Sequence, residues 1–307
     1  MEEVKIFAPA TVANVSCAFD ILGFAMESVG DEMIFSKKTE KKISISVPDG
    51  SNLPTAPEKN VAGVVAQAML KKANAGFGVH IHIEKRIKPG SGIGSSAASS
   101  AGAAFGINKL LGGVFSKSQL VEFAMLGEAL ASGIPHADNV APAIMGGFAL
   151  VRSYSPLEII KIPSPEDLYC TVIHPQIEVK TENSRKILKK NILLKDAVEQ
   201  WGNIAGLIAG LYTQNYGLIG RSLEDKIVEP VRSILIPLFF ELKEAFKQAG
   251  ALGGGISGSG PSVFALSKGK QTAENVANAM NNVYAKTGVN FDIHLSKIND
   301  EGITLLS

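Results

Sequence analysis

The most distinctive chemistry-bearing segment is rich in glycine and serine: residues 89–99 read PGSGIGSSAAS. Its three glycines permit backbone conformations that other residues rarely adopt, and they let a ligand approach the main chain closely. Ser95 and Ser96 begin a predicted helix, so its unpaired amides and positive dipole end face the loop. This arrangement favours an anion, most naturally a phosphate, and the two hydroxyls add donors or oxygen ligands for magnesium.

Other interpretations of the glycine-rich segments compete with a phosphate loop. A Walker loop requires G-K-[ST], which does not occur in the chain. Residues 92–97 (GIGSSA) fit the looser dinucleotide fingerprint, but no strand ending in an acidic residue follows about twenty residues later. Residues 253–258 (GGGISG) also fit, but they lead through Pro261 into a predicted strand instead of a helix. A close-packed helix of glycine and alanine without any ligand remains the plainest alternative.

A carboxylate on an apolar helix stripe is the second chemical signal. Val121, Met125 and Glu128 share one face of a predicted helix, whereas Glu122 lies on the polar side. A carboxylate in apolar surroundings is costly unless it is paired, hydrogen-bonded or bound to a metal. Glu128 is therefore either half of a buried salt bridge or a metal ligand.

The length and composition of the chain limit the classes of protein to which it can belong. The chain has 307 residues and a mass of 32.3 kDa, which predicts two domains or one large one. Its 30 basic and 29 acidic residues give a net charge of +1, which argues against nucleic acid as the main partner. An apolar content of 46% supports a substantial core and excludes wholesale disorder.

Cysteine usage and the absence of apolar runs predict a cytoplasmic location. Cys17 and Cys170 are the two cysteines, which excludes a disulfide scaffold and a C-x-x-C zinc pair. Glu2 and Glu3 precede a short strand-like run, unlike a secretory signal. No apolar stretch reaches the ~18 residues of a membrane span, so we expect no membrane partner.

The first half of the chain must position the loop between a strand and a helix. Alternation and capping residues, including Asn60 as an N-cap, predict the elements of this half. They are strands at 4–10, 33–35, 43–47, 79–83 and 147–151, with helices at 60–73, from Ser95, and at 116–131.

Three prolines within residues 155–165 predict a domain boundary, giving domains 1–155 and 156–307. The second half has the order β-α-β-β-α-β, the ferredoxin-like arrangement. Its predicted elements are a strand at 168–173, a helix at 231–249, strands at 251–256 and 262–267, a helix at 272–286 and a strand at 291–296. Extra helices between residues 181 and 226 form an insertion, and the fold class is α+β.

Several motifs resemble the GHMP small-molecule kinases, the group of galactokinase, homoserine kinase, mevalonate kinase and phosphomevalonate kinase. PGSGIGSSAASSAG resembles the phosphate loop of that superfamily. APATVANVSCAFDILGFA, NVAG, GEALASG, HADNVAPAIMGG, EPVR and GISGSGPS resemble its successive motifs and, across essentially the whole chain, those of the homoserine kinase family. The resemblance implies a two-domain fold with a left-handed strand-helix-strand unit around the loop. It also implies ATP-dependent phosphorylation of L-homoserine in threonine biosynthesis.

The resemblance further implies a nucleotide site with ATP as co-substrate. Magnesium would be held by Glu128 and Ser96 together with the nucleotide phosphates. The nucleotide-binding residues would be Asn60, Pro89, Gly90, Ser91, Gly92, Ile93, Gly94, Ser95, Ser96, Ala97, Ala98 and Ser99.

An amino-acid pocket is the second implication of the resemblance. Taken singly, each of its members has an ordinary structural interpretation: a helix cap, a hydrogen-bond partner of a buried carbonyl, part of a tight turn, or an exposed arginine on a helix. As a set, they are Asn14, Asp20, His136, Asp138, Asn139, Arg185, Arg232 and Gly258. An acidic residue, either Asp20 or Asp138, would suit the substrate ammonium, and the two arginines would match its carboxylate.

The catalytic residues implied are Asn139, Glu128 and Ser96, with no strong general base. An amide accepts no proton near neutral pH, so Asn139 would orient the substrate hydroxyl instead of deprotonating it. His136 is the rival as a base, since an ordinary histidine pKa of ~6.5 suits that role.

Two other functions stay open. One is a kinase for another alcohol such as mevalonate, whose catalytic Asp–Lys pair is not apparent. The other is a nucleotide-binding regulator without turnover, against which Glu128 and Ser96 argue. The sequence leaves the oligomeric state open, with a homodimer as one candidate.

Overall fold

The computed structural model describes residues 1–48, 53–177, 179 and 181–306. Within these residues the strands form two sheets. The larger sheet has the order β11-β1-β2-β4-β3, and β5 joins it by pairing with both β2 and β6. Its strands are β1 (Glu3–Ala13), β2 (Leu22–Lys38), β3 (Ile43–Ser46), β4 (Gly78–Glu84), β5 (Phe148–Tyr154), β6 (Leu157–Ile162) and β11 (Thr304–Leu305). Strands β3 and β4 are parallel, with a helix as the crossover between them.

Four helices accompany the larger sheet: α1 (Val61–Lys72), α2 (Ser95–Leu110), α3 (Lys117–Ser132) and α4 (Val140–Met145). The predicted N-cap of α1 is confirmed, since the Asn60 side chain accepts a hydrogen bond from the Ala62 amide. Ser116 and Gln119 form a reciprocal capping box at the start of α3. Helices α1 and α3 therefore begin at residues whose side chains cap them.

The smaller sheet confirms the predicted ferredoxin-like arrangement. Its antiparallel order is β10-β7-β9-β8, which places the first strand of the unit inside the sheet. The strands are β7 (Leu168–Pro175), β8 (Gly253–Ile256), β9 (Val263–Lys268) and β10 (Phe291–Lys297), packed with α9 (Phe239–Gln248) and α10 (Lys270–Tyr284). The predicted helical insertion comprises α5 (Thr181–Lys186), α6 (Leu194–Tyr212) and α7 (Tyr216–Ser222).

The single helix predicted at 231–249 is wrong. The chain instead forms α8 (Glu229–Arg232), a 3₁₀ turn (Ser233–Leu235) and then α9. Pro237 explains the break, because the residue before a proline is driven out of the helical region. Ile236 is accordingly extended, with φ −120° and ψ 112°, and Leu238 is left-handed, with φ 55°.

The chain passes between the sheets after the proline-rich segment. Strand β6 lies in that segment but pairs with β5 in the larger sheet, and β7 then begins the smaller one. The main hydrophobic core joins both regions: the rings of Phe24 in β2 and Phe264 in β9 are 6.1 Å apart. The boundary between residues 155 and 156 stays a prediction. No helix in the described ranges is both long and apolar enough to cross a membrane.

Candidate active site between the two sheets

A cavity of about 990 Å³ lies where the two sheets meet. The β1–β2 turn, the glycine-rich loop, the start of α2 and the end of α3 form one wall. Helices α5 and α8 and the turn after β8 form the other. Both predicted groups of residues, those for the nucleotide and those for the amino acid, therefore face one space.

The phosphate loop occupies the connection between β4 and α2. Gly94 is the N-cap of α2 with φ 71°, and no side chain caps the helix, so its first amides remain available to a ligand. A side chain at Gly94 would place its Cβ 2.1 Å from the Thr11 hydroxyl, and one at Gly92 would lie 2.6 Å from the Gly260 carbonyl. Glycine is required at both positions by positive φ and by close approach.

The turn between β8 and β9, in the smaller sheet, forms hydrogen bonds with this loop. The Ser257 hydroxyl donates to the Gly92 carbonyl at 2.7 Å, and the Ser262 hydroxyl donates to the Ser91 carbonyl at 2.6 Å. GISGSGPS is thus a tight turn that also joins the two halves of the site.

Glu128 projects from α3 toward the phosphate loop and is only 7% exposed. Burial raises the pKa of its carboxyl to about 7, against the opposing effects of a hydrogen bond with Ser96 and the charge of Lys85. Among the described residues its Oε1 has no hydrogen-bond partner. Among the residues that the structure describes, Glu128 forms no salt bridge, and Lys85 pairs with Asp31 instead.

Lys85 is a functional-site residue that the sequence analysis missed. Its ammonium contacts Asp31, and it donates to the Ser95 carbonyl at 2.6 Å and the Ser99 hydroxyl at 3.1 Å. The pair fixes the start of α2 from β4 and β2. Asp31 is 54 residues away from Lys85 in the chain, so no short-range sequence pattern predicts this pair.

Ser95 also helps to hold this helix start. Its hydroxyl donates to the Ile87 carbonyl at 2.9 Å, which leaves the oxygen lone pairs and the backbone amide for a ligand, and its predicted ligand role stays a prediction. Ser96 is the serine whose hydroxyl meets Glu128.

The two predicted arginines converge on the wall of the cavity that α5 and α8 form. An Arg185 amine donates to the Asp20 carboxylate at 2.5 Å, and the Arg185 Nε is buried without a partner among the described residues. Arg232 is 2% exposed and donates to the backbone carbonyls of Ser184 and Gly258, each at 3.1 Å. Burial, reinforced by the charge of Arg185, lowers the pKa of Arg232 to about 10, so it stays cationic near neutral pH.

A strained turn after β1 supplies the neighbouring polar groups. Asn14, Val15 and Ser16 all have positive φ, at 72°, 36° and 61°, and Asp20 has φ 63°. Such conformations are uncommon for residues other than glycine, above all for a β-branched valine. The Asn14 side chain donates to the Gly258 carbonyl at 2.7 Å and accepts from the Asp20 amide at 3.0 Å.

The loop between α3 and α4 brings three predicted residues to the centre of the cavity. Asp138 is 4% exposed, and burial, followed by the charges of Asp20 and Glu128, raises its pKa to about 7. Burial lowers the pKa of His136, whose Nε2 has no partner in the described part of the chain. Asn139 accepts a 2.7 Å hydrogen bond from the Thr11 hydroxyl at its Oδ1, which directs its NH₂ group away from Thr11.

Most of the predicted residues line the cavity. They are Asn14, Asp20, Asn60, Pro89, Gly90, Gly92, Gly94, Ser95, Ser96, Ser99, Glu128, His136, Asp138, Asn139, Arg185, Arg232 and Gly258. Four others do not line it: Ser91, Ile93, Ala97 and Ala98 are buried behind the loop. The predicted ligand roles of both groups stay predictions.

Two further residues were missed, Thr11 and Phe19. Thr11 orients Asn139 from 128 positions away in the chain. Phe19 lines the cavity beside both arginines, although its place in SCAFD resembles an ordinary core position. The sequence carries no local signal for either contact.

Comparison with known proteins agrees with this geometry. The family models for the GHMP kinases N terminal domain and the GHMP kinases C terminal match residues 60–147 and 207–286. The homoserine kinase of Chloroherpeton thalassium is 46% identical, with both chains covered completely. The chain belongs to the homoserine kinase family of GHMP kinases. The predicted family, the kinase assignment and the two-domain α+β fold are confirmed.

Other members of the family support the same assignment. The homoserine kinase of Methanococcus vannielii is 44% identical over 92% of this chain and 94% of its own. The crystal structure of homoserine kinase from Cytophaga hutchinsonii superposes with a TM-score of 0.96 at 46% identity, covering 100% of this chain and 98% of that one. Mevalonate kinase from L. major has a TM-score of 0.73 at 14% identity, which is a likeness of fold alone.

Proposed function

We propose that this protein transfers the terminal phosphoryl group of ATP to the hydroxyl of L-homoserine, giving O-phospho-L-homoserine for threonine biosynthesis. One observation carries the proposal: a single cavity joins an uncapped, glycine-bounded helix N-terminus to a pocket with two arginines and a buried carboxyl. The first suits phosphates, and the second suits an amino acid. The full-length relatives named homoserine kinase support the same substrate.

The substrate's charged groups select among the pocket residues. The carboxylate pairs with Arg185 and Arg232, because guanidinium groups match planar carboxylates. Asp138 receives the ammonium in preference to Asp20, because Asp20 is already paired with Arg185 at 2.5 Å. The raised pKa of Asp138 supports this assignment, since a bound cation would relieve the burial and repulsion that raise it.

Glu128 and Ser96 would hold magnesium together with the nucleotide phosphates. The buried Oε1 of Glu128, which lacks a hydrogen-bond partner among the described residues, fits a hard cation, as does the nearby hydroxyl. When bound, the ion would neutralise negative charge on the ATP phosphates and so favour the departure of ADP from the transferred phosphoryl group.

The remaining residues align the reacting groups. Asn139 lies against Gly94 of the phosphate loop, and Thr11 holds its Oδ1, so its NH₂ group is the one presented to the substrate hydroxyl. The hydroxyl oxygen forms the new P–O bond as the bond to the ADP oxygen breaks, and its proton leaves late, to phosphate or solvent. Catalysis then rests on alignment and charge neutralisation instead of a general base.

A substrate panel tests the function. The enzyme with ATP and magnesium should release ADP with L-homoserine much faster than with L-threonine, L-serine or mevalonate. Preference for mevalonate would support the other alcohol kinase, and ATP binding without ADP release on any substrate would support the regulator. The cytoplasmic location and the homodimer stay predictions.

A further inference from the structure

One aromatic ring lies against both arginines of the substrate pocket. The guanidinium carbons of Arg185 and Arg232 are 5.2 Å and 5.0 Å from the centroid of the Phe19 ring. Both distances fall within the range at which a cation is attracted to an aromatic face. Phe19 itself lines the cavity from the β1–β2 turn.

Arg185 and Arg232 need such a partner because both are positively charged and lie close together in a largely buried part of the cavity. Asp20 forms an ion pair with Arg185, whereas Arg232 donates to two neutral carbonyls. The charge of Arg185 contributes to the lowered pKa of Arg232, so the two groups act on each other. The nearby carboxylates Asp20, Asp225 and Asp138 favour the charged form of Arg232, and the Phe19 ring is the aromatic group that lies against both guanidiniums.

We propose that Phe19 is a positioning residue that holds Arg185 and Arg232 ready for the carboxylate of homoserine through the negative face of its ring. The proposal rests on the proposed function. An aliphatic side chain would supply similar bulk, but it would lack the ring quadrupole that attracts a cation. The inference is therefore about the electronics of the ring and not only about its packing.

This distinction can be tested with matched replacements at position 19. Phe19→Tyr keeps the aromatic face, and Phe19→Leu keeps an apolar side chain without it. Incorporation of 3,4,5-trifluorophenylalanine keeps the shape of the ring while weakening its negative face, so this protein should fold even where Phe19→Leu does not. For each protein, kcat, the KM for homoserine and the KM for ATP are measured.

The expected pattern separates positioning from general damage. The KM for homoserine should rise about tenfold with Phe19→Leu and with the trifluorinated ring, and change less than about twofold with Phe19→Tyr. The KM for ATP should not change. With L-homoserine amide, which lacks the carboxylate, the native and the trifluorinated enzymes should have the same KM, because the arginines then have no anion to bind.

Two results would overturn the inference. One is native behaviour of the trifluorinated enzyme toward homoserine, and the other is an equal loss toward the amide. If the native enzyme itself gives no ADP with homoserine, the proposed function fails and takes this inference with it. Normal homoserine turnover with unaffected variants would remove the role of Phe19 alone.

Discussion

The two parts of the cavity offer different kinds of groups to a ligand. The phosphate end, formed by the glycine-rich loop and the start of α2, offers main-chain groups of one contiguous segment: the loop glycines and the first amides of α2. The substrate end offers side chains on the β1–β2 turn, the α3–α4 loop, α5 and α8. Backbone recognition depends on conformation, whereas side-chain recognition depends on residue identity at positions far apart in the chain.

Because of this difference, the two ends should tolerate different kinds of substitution. The phosphate end is sensitive to added bulk at its glycines but insensitive to most changes of side-chain chemistry. The substrate end should be sensitive to charge, because Arg232 and Asp138 are buried and the half-buried Arg185 and Asp20 form an ion pair with each other. At the phosphate end the proposed magnesium ligands Ser96 and Glu128 depend on side-chain oxygens, and Glu128 is the stronger exception because its oxygens belong to a carboxylate.

That exception should give the largest effect. Glu128→Gln should lower kcat about a thousandfold, because a neutral amide replaces the charged metal ligand. ATP-dependent turnover at saturating magnesium measures it, and Glu122→Gln on the exposed face of the same helix is the matched control. Near-native turnover of Glu128→Gln would show that the phosphate end relies on its main chain alone.

Removal of either arginine should affect the substrate end without affecting the nucleotide. Arg185→Ala and Arg232→Ala should each weaken homoserine binding by about 2–4 kcal/mol, the range for truncating a desolvated charge pair. Calorimetric titrations with homoserine and with an ATP analogue measure both ends, and Arg221→Ala, which is exposed on α7, is the control. Equal losses for both ligands would contradict a division between the ends.

Asn139 connects the two ends, and its removal should affect kcat more than either KM. Asn139→Leu should lower kcat about thirtyfold, since the substrate hydroxyl loses its alignment with the phosphate. Steady-state kinetics with both substrates test this expectation. An acid limb of kcat below the ordinary histidine pKa that disappears in His136→Gln would instead make His136 a general base, because burial lowers the pKa of this histidine.

The smallest effect concerns pH. Asp138 has a pKa raised to about 7, so it is ionised above that value and neutral below it. Because the substrate ammonium needs the ionised form, kcat/KM for homoserine at saturating magnesium should fall about fourfold at pH 6.5 relative to its plateau above pH 8. Glu128, with a similar pKa, adds a second acid limb that higher magnesium moves to lower pH. A flat profile between pH 6 and 8 would exclude Asp138 as the ammonium partner.

The same contrast explains how much the sequence could predict. The phosphate loop, the Asn60 cap and the ferredoxin-like order follow from neighbouring residues, and their local physics is sufficient. The pair Lys85–Asp31 and the bond from Thr11 to Asn139 join residues that only the fold brings together. The substrate pocket was predicted through resemblance to a family, because no spacing rule links residues 20, 138 and 232.

The failed helix at 231–249 illustrates the limit on secondary structure. Apolar periodicity is continuous there, but Pro237 and the left-handed Leu238 end one helical segment before the next begins. A proline of this kind can kink a helix or break it, and the surrounding packing decides which.

The left-handed run at Asn14, Val15 and Ser16 has a consequence for protein engineering. Glycine adopts such angles without the steric penalty, whereas each of these side chains costs of order 1–3 kcal/mol in backbone strain. At Val15, however, this relief is opposed by the loss of a fully buried side chain from the main core, so glycine there would not make the protein more resistant to heat. The same change would loosen the turn that aims Asn14 and Asp20, so the valine secures the core and the shape of the pocket at once.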